Sequence, residues 1–512
     1  MRLRGASAAA ALALVSCVSV WGSLDPTAHL IARQDVPARA DNEIQLQLGN
    51  LLLRDGRYED AVEAFRHARS RAPGVVATKA GVGLVTSLLR LGEFGAAFAE
   101  ADGTLKSAPR SAEALATYAD ALWALGRFEE SARAAKDALS LDPTLAQARH
   151  GLARVFAGRS RLDDALVEAQ AALRSAPASG EYQYTLGSIY QRMKAFDAAA
   201  GAFENYVNLL PNRDKSDKNA WARAQVRFLR AFDGIRPLEL SSDVAAKAQI
   251  VPFRLVRDKV VVKARVNGSD YTDFVLDTGA EMTIVSQQLA VRMGVRPVTY
   301  VRSAGVGEVG LRGLQVGIID KLQIGTLTIS NVPCLIKNPP LHGLPTRETE
   351  AFSPLVLGLS MTIDYRLRLL TFGESLPRQA NTHDLPLWLH RLAMVQGLVN
   401  GAHPVNFVVD TGGEVISISQ STAGAIDPLP AGRRIALKVY GTSGWDPDAF
   451  LMPNVDLSFE QVVMPKTAVV VLNLEAPSAL LGFQLGGIVG HQFLSKYTVT
   501  VDLQRSVLAL GD

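Results

Sequence analysis

The chain has 512 residues, with 53 Lys and Arg against 50 Asp and Glu, a formal charge of +3, 48% hydrophobic residues and 20% charged ones. Near-neutrality without any Lys/Arg-rich run argues against nucleic acid as a partner, because no broad positive field is available for a phosphate backbone; the apolar content excludes wholesale disorder. At roughly 150 residues per domain the length predicts three to four domains, and two cysteines, Cys17 and Cys334, are too few for a disulfide framework.

Residues 1–22 read as a signal segment. Arg2 and Arg4 precede the apolar run 8–15, which is too short to span a bilayer. The expected destination is the periplasm or cell envelope. Leu14-Val15-Ser16-Cys17 resembles a bacterial lipobox, which would put a lipid on Cys17 and make it the chain's one membrane attachment; the alternative is simple cleavage near Ser23, with Cys17 discarded. Cys334 is expected to be a small buried strand residue, because no His or second Cys lies near it in sequence.

Prolines then recur at Pro73, Pro109, Pro143, Pro177 and Pro211, at spacings of 36, 34, 34 and 34. Twelve positions before each stands a small residue: Ala61, Ala97, Ser131, Ala165 and Ala199. Three residues earlier still come Tyr58, Phe94, Phe128, Leu162 and Phe196. The first unit adds Gly49, Phe65 and Ala68, and the fifth Gly187, Tyr190 and Phe203; units two to four carry Val85, Ala119 and Ala153 where the first-helix Gly would stand. This register, over residues 40–212, resembles the tetratricopeptide repeat. Each unit would be two antiparallel helices, the small residue allowing close approach and the proline ending the second helix. The resemblance implies a concave groove for an extended peptide or protein partner; a rigid spacer is the alternative. Residues 213–235 predict one more, capping helix, closed by Gly234.

Past Ile235 the periodicity turns strand-like, and the remaining residues read as mostly β. Residues 266–286 (VNGSDYTDFVLDTGAEMTIVS) align with 399–419 (VNGAHPVNFVVDTGGEVISIS) at an offset of 133. Ten of the 21 positions are identical: Val, Asn, Gly, Phe, Val, Asp, Thr, Gly, Glu and Ser. A second apolar motif follows each copy, ending at Gly358 and Gly490, that is 81 and 80 residues after Asp277 and Asp410.

This duplicated pattern resembles the aspartic proteases of retropepsin-like and pepsin-like type. The resemblance implies a multidomain chain: an all-α tetratricopeptide solenoid followed by a mainly-β, two-lobed aspartic protease fold, with lobe one at 247–373, a linker at 374–388 and lobe two at 389–511. It implies Asp277 and Asp410 as a catalytic pair, with Thr278, Gly279, Thr411 and Gly412 as active-site support. Two carboxylates facing one water cannot both ionise cheaply, so they share a proton; one then acts as general base and the other as general acid. The chemistry needs neither metal nor cofactor, and none is expected. A polypeptide is the implied substrate, and a non-catalytic peptide-binding scaffold is the alternative.

Gly305 and Gly307, within 301–310, and Tyr440 with Gly441, within 439–445, are flap candidates, each in a Gly-rich segment flanked by β-like runs; ordinary exposed hairpins are the alternative. Glu281 and Glu414 repeat two residues after each Gly, as substrate contacts or as structural ion pairs or caps. The linker length favours pairing of the lobes within one chain, with pairing between chains as the competitor. Residues 491–497 predict a short helix that lobe one lacks. His342, His383, His390, His403 and His491 fall in no nucleophilic or metal-binding motif.

Overall fold

The computed structural model describes residues 28–70, 74–211, 216–241, 247–306, 311–337, 350–426, 435–441 and 444–511. The signal segment with Cys17, together with Gly307 and His342, lies outside the described residues.

Helices come first: α1 (Ala28–Arg54), α2 (Tyr58–Arg69), α3 (Val75–Leu91), α4 (Phe94–Ser107), α5 (Ala112–Ala124), α6 (Phe128–Leu141), α7 (Ala146–Gly158), α8 (Leu162–Ser175), α9 (Gly180–Arg192), α10 (Phe196–Leu209) and α11 (Asp217–Arg230). They form a tetratricopeptide solenoid. Its packing follows from the repeated small and aromatic residues. Phe65 of α2 fills the space that Gly49 and Gly83 leave on the flanking helices: a Cβ on either would stand 2.6 Å or 2.4 Å from the ring. In the third unit Ser131, fully buried, takes the small-residue position and donates to the Ala119 carbonyl at 2.7 Å, so its hydroxyl is satisfied.

The first helices of successive hairpins (α1, α3, α5, α7, α9) touch one another, whereas the second helices do not pack on each other to the same extent. The stack therefore curves with α3, α5, α7 and α9 inside. The curvature is tight enough for Arg90 of α3 to reach Glu181 of α9, and Lys218 of α11 joins the same carboxylate at 2.7 Å. These cations hold Glu181 well below the usual carboxylate range, against the opposing effect of its burial.

The mainly-β part forms two large sheets. The first, nine-stranded, joins the strand Glu239–Leu240 to lobe one; the second, thirteen-stranded, holds most of lobe two and also three lobe-one strands, Gln249–Pro252, Ser360–Asp364 and Leu369–Gly373. The seam is antiparallel: Met361, Thr362 and Ile363 pair with Val501, Thr500 and Val499, and the two threonine hydroxyls bond at 2.8 Å. One continuous core runs through both lobes, from Phe274 and Phe352 to Phe407 and Leu508. Cys334 lies fully buried in it, and burial pushes its thiol up to about 12.

Two features depart from the simple picture of separate modules. Residues 382–388, expected as part of a linker, lie in the strand Thr382–His390, which pairs with Val507–Gly511 and turns back into Leu392–Val399. That hairpin is driven into the solenoid. Trp388, among the largest fully buried side chains, meets Trp123 and Phe128 at ring distances of 6.3 and 5.2 Å. Lobe one is covered as well: α11 packs on the strand Arg296–Ala304, with Arg227 donating to the Thr299 hydroxyl at 3.1 Å.

Candidate active site

Asp277 follows the strand Thr272–Leu276, and Asp410 follows His403–Val409. Each strand is held by a parallel neighbour, Ala351–Phe352 in lobe one and Gly487–Val489 in lobe two. The ladders end at the acids themselves: Asp277 N–H donates to Phe352 O at 2.9 Å, and Asp410 N–H to Val489 O at 3.0 Å. In lobe two the second apolar motif supplies that neighbour itself, whereas in lobe one the neighbour Ala351–Phe352 precedes the motif, whose Leu355–Leu357 form a short 3-10 helix; the matched spacings to Gly358 and Gly490 therefore do not mark equivalent positions.

The threonines join the loops. Thr278 and Thr411 are buried. Thr278 N–H donates to Thr411 Oγ1 at 3.1 Å, and Thr411 N–H to Thr278 Oγ1 at 3.0 Å. Their hydroxyls donate onward across the interface, Thr278 to Val409 O at 2.6 Å and Thr411 to Leu276 O at 2.7 Å. Four reciprocal bonds between buried groups fix the lobes in one register, since any slip would leave several polar groups unpaired at once.

The glycines bring each loop against the opposite acid. A Cβ on Gly279 would stand 2.5 Å from Asp410 Cγ, and one on Gly412 2.7 Å from Asp277 Cγ; no other residue fits. Gly279 N–H donates to Asp277 Oδ1 at 2.9 Å and Gly412 N–H to Asp410 Oδ1 at 2.8 Å. Burial, then the charge of Asp410, raises the Asp277 carboxyl far above its ordinary range. Burial raises Asp410 too, while hydrogen bonds from Gly412, Gly413 and Asp277 favour its ionised form. The pair is set to hold one proton between two carboxylates.

The other candidate residues fall differently. Gly305 ends the strand Arg296–Ala304, and a Cβ on Gly441 would stand 2.1 Å from Val306 O, so the two flap candidates meet backbone to backbone. Tyr440 pairs with Trp445 in the short hairpin Val439–Gly441/Gly444–Asp446. Of the repeated glutamates, Glu281 makes a two-pronged ion pair with Arg391, while Glu414 is exposed and has no ion-pair partner among the described residues. His390 and His491 meet the rings of Trp123 and Tyr365 edge-on, and among the described residues no group of three or more His, Cys, Asp or Glu is placed to hold a metal ion. The helix His491–Leu494 follows Gly490 as expected, but lobe one does not lack its counterpart: the single 3-10 turn Leu355–Leu357 stands in the same place, between Ala351–Phe352 and Ser360–Asp364.

Sequence reasoning missed Arg391, Trp388 and Ser353. Ser353, fully buried, donates to Ala280 O at 2.5 Å and steadies the loop after Gly279. None of the three lies in a repeated motif; the aromatic Trp388 inside a polar stretch was the one available hint.

Comparison with known families agrees with this geometry. The aspartyl protease family matches twice, at 262–361 and 395–490, and the tetratricopeptide repeat at 30–76, 82–146 and 150–214. The chain joins tetratricopeptide repeats to a tandem aspartyl protease domain. No curated protein matches it. Among solved structures it is similar to a thermophilic tetratricopeptide repeat protein of Thermus thermophilus (21% identity, 37% of this chain and 99% of that one, TM-score 0.31). It is also similar to Pseudomonas aeruginosa pilF (19%, 39% and 89%, TM-score 0.28) and to the APC/C hetero-tetramer Cut9–Hcn1 (17%, 41% and 39%, TM-score 0.32).

Proposed function

We propose that this chain is an aspartic endopeptidase, with Asp277 and Asp410 activating one water for attack on a peptide bond. The observation that carries the reading is the pair of acidic loops locked face to face by the crossed threonine bonds. Asp410, favoured as the carboxylate, takes a proton from the water as general base. Asp277, favoured as the acid, protonates the scissile carbonyl oxygen; when the tetrahedral diol collapses, Asp410 passes the water's proton to the leaving amine and the diol hydroxyl returns a proton to Asp277. The segments meeting at Gly441 and Val306 suit a cover over an extended substrate.

Export to the periplasm or envelope is part of the proposal and is supported by Arg2, Arg4 and the apolar run 8–15, with Cys17 as the position for a lipid. Tetratricopeptide repeats generally mediate protein interactions, and on that ground the array is assigned the recognition of a substrate or partner polypeptide. Cleavage of a peptide library by the wild type and by Asp277→Asn and Asp410→Asn tests the assignment. Loss in both variants supports it, and equal turnover in all three removes it. Tight binding of a statine peptide would separate an enzyme from a peptide-binding scaffold.

A further inference from the structure

The turn of the lobe-two hairpin, Trp388 to Leu392, sits where the first helices of three repeats end. Trp388 packs on Trp123 of α5 and Phe128 of α6, under the Arg159 guanidinium at 5.3 Å. A Cβ on Gly158, the last residue of α7, would stand 2.8 Å from the Trp388 ring. Arg192 of α9 and Arg159 donate to the Leu389 and Leu387 carbonyls at 3.0 and 3.2 Å. His390 is half-buried against Trp123 and Phe483. Burial and the cations around it (Arg391, Arg192, Arg154 and Lys218) push it down to about 3, so it stays neutral.

Arg391 carries this contact to the acidic loop. Its guanidinium makes two bonds to Glu281, at 2.9 and 2.7 Å, and a third to Leu480 O at 3.3 Å. Glu281 lies four residues past Asp277, on the loop that carries it. The repeats close over the pair: the ring centre of Trp221 of α11 lies 4.6 Å from the guanidinium, and the charge of Arg391 acts on the buried Tyr184 of α9. Lobe two, lobe one and the repeats thus meet at one side chain. The duplication would place the same device at Glu414, yet Glu414 is exposed and without an ion pair among the described residues. The tether exists on one side of the pseudo-twofold, the side that the repeats cover.

We infer that the inner face of the repeats is an intramolecular clamp whose ligand is this chain's own hairpin tip, and that Arg391 is a positioning residue which transmits the clamp to the Asp277 loop. The repeats are then a structural part of the protease site. A planar, two-pronged, largely dehydrated guanidinium suits this task, because it fixes both distance and orientation. The inference rests on the catalytic reading of Asp277 only for its activity readout.

The test is hydrogen exchange, resolved by segment, on the full chain. It compares wild type, Arg391→Met, Arg391→Lys and the pair Arg391→Met/Glu281→Gln. The pair removes the orphaned carboxylate, so loss of the tether is separated from the cost of an unpaired charge. Exchange in 277–286 is expected to rise about tenfold in Arg391→Met and to stay raised in the pair, with α1–α4 unchanged and partial recovery in Arg391→Lys. On a peptide that the wild type cleaves, kcat should fall with KM nearly constant. Wild-type exchange in 277–286 for the pair overturns the inference. If Asp277→Asn were to retain turnover, the catalytic assignment would fall, while the exchange result would still decide the clamp.

Discussion

Replacing Asp277 with Asn is expected to remove turnover and to stabilise the fold at neutral pH. The Asp277 carboxyl is raised from 3.8 to about 8, by burial first and by Asp410 second. A raised carboxyl pKa means that the folded chain holds its proton more tightly than the unfolded one. The contribution to stability is then fully present below about pH 4 and is lost as pH climbs toward 8. At ~1.4 kcal/mol per tenfold change in proton affinity, the displacement sets an upper bound of about 6 kcal/mol. Both acids are partly open to the cleft, and a polar surrounding reduces the figure to ~2–4 kcal/mol. Asn escapes the loss: it carries no charge at any pH, and its amide can donate to Asp410. Urea unfolding of wild type and variant from pH 4.5 to 8.5 reads the difference for the coupled pair, because the groups remote from Asp277 and Asp410 cancel. The stability gap should widen with pH in favour of the variant. A gap that stays flat, or that turns against Asn, refutes the reasoning.

Gly412→Ala places a methyl group 2.7 Å from the Asp277 carboxyl carbon; turnover should fall at least about a hundredfold, at ~1–3 kcal/mol of stability, as seen by steady-state kinetics beside thermal melting. Thr411→Val keeps the shape but strands the Leu276 carbonyl and the Thr278 N–H, and should cost ~2–4 kcal/mol in urea unfolding. Trp388→Ala empties a fully buried site between the repeats and lobe two, with ~3–5 kcal/mol lost and the two parts melting separately in calorimetry. Arg505→Ala breaks an ion pair with Asp384 at 40% and 24% side-chain exposure, and its effect should stay within ~0.5 kcal/mol.

Much of this structure was legible because it is repeated. Prolines every 34 residues marked the ends of helices, and the paired Asp-Thr-Gly segments marked two loops that had to converge. Repetition carried both signals: a proline ends its own helix, and the Asp-Thr-Gly segment recurs because Gly279 and Gly412 each make room for the acid of the other lobe. What stayed hidden depends on distant partners. Residues 382–388 of the strand Thr382–His390 read as a polar linker because His383, Asp384 and Pro386 obscure the alternation, and the strand's pairing is supplied by Val507–Gly511, over a hundred residues away. Glu281 and Glu414 looked equivalent, yet Arg391 chooses one of them, and Tyr184 and Trp221 enforce the choice from another domain. Duplication revealed what the halves share and was silent about what breaks their likeness.

The seam between Ser360–Asp364 and the strand Thr498–Asp502 has a consequence for how such a site endures. An enzyme assembled from two loose halves fades as it is diluted, because each half must find its mate again. Here both halves travel on one backbone and share a ladder of hydrogen bonds, so each is presented to the other at a fixed local concentration however sparse the molecules are. Specific activity should hold constant down to vanishing protein concentrations.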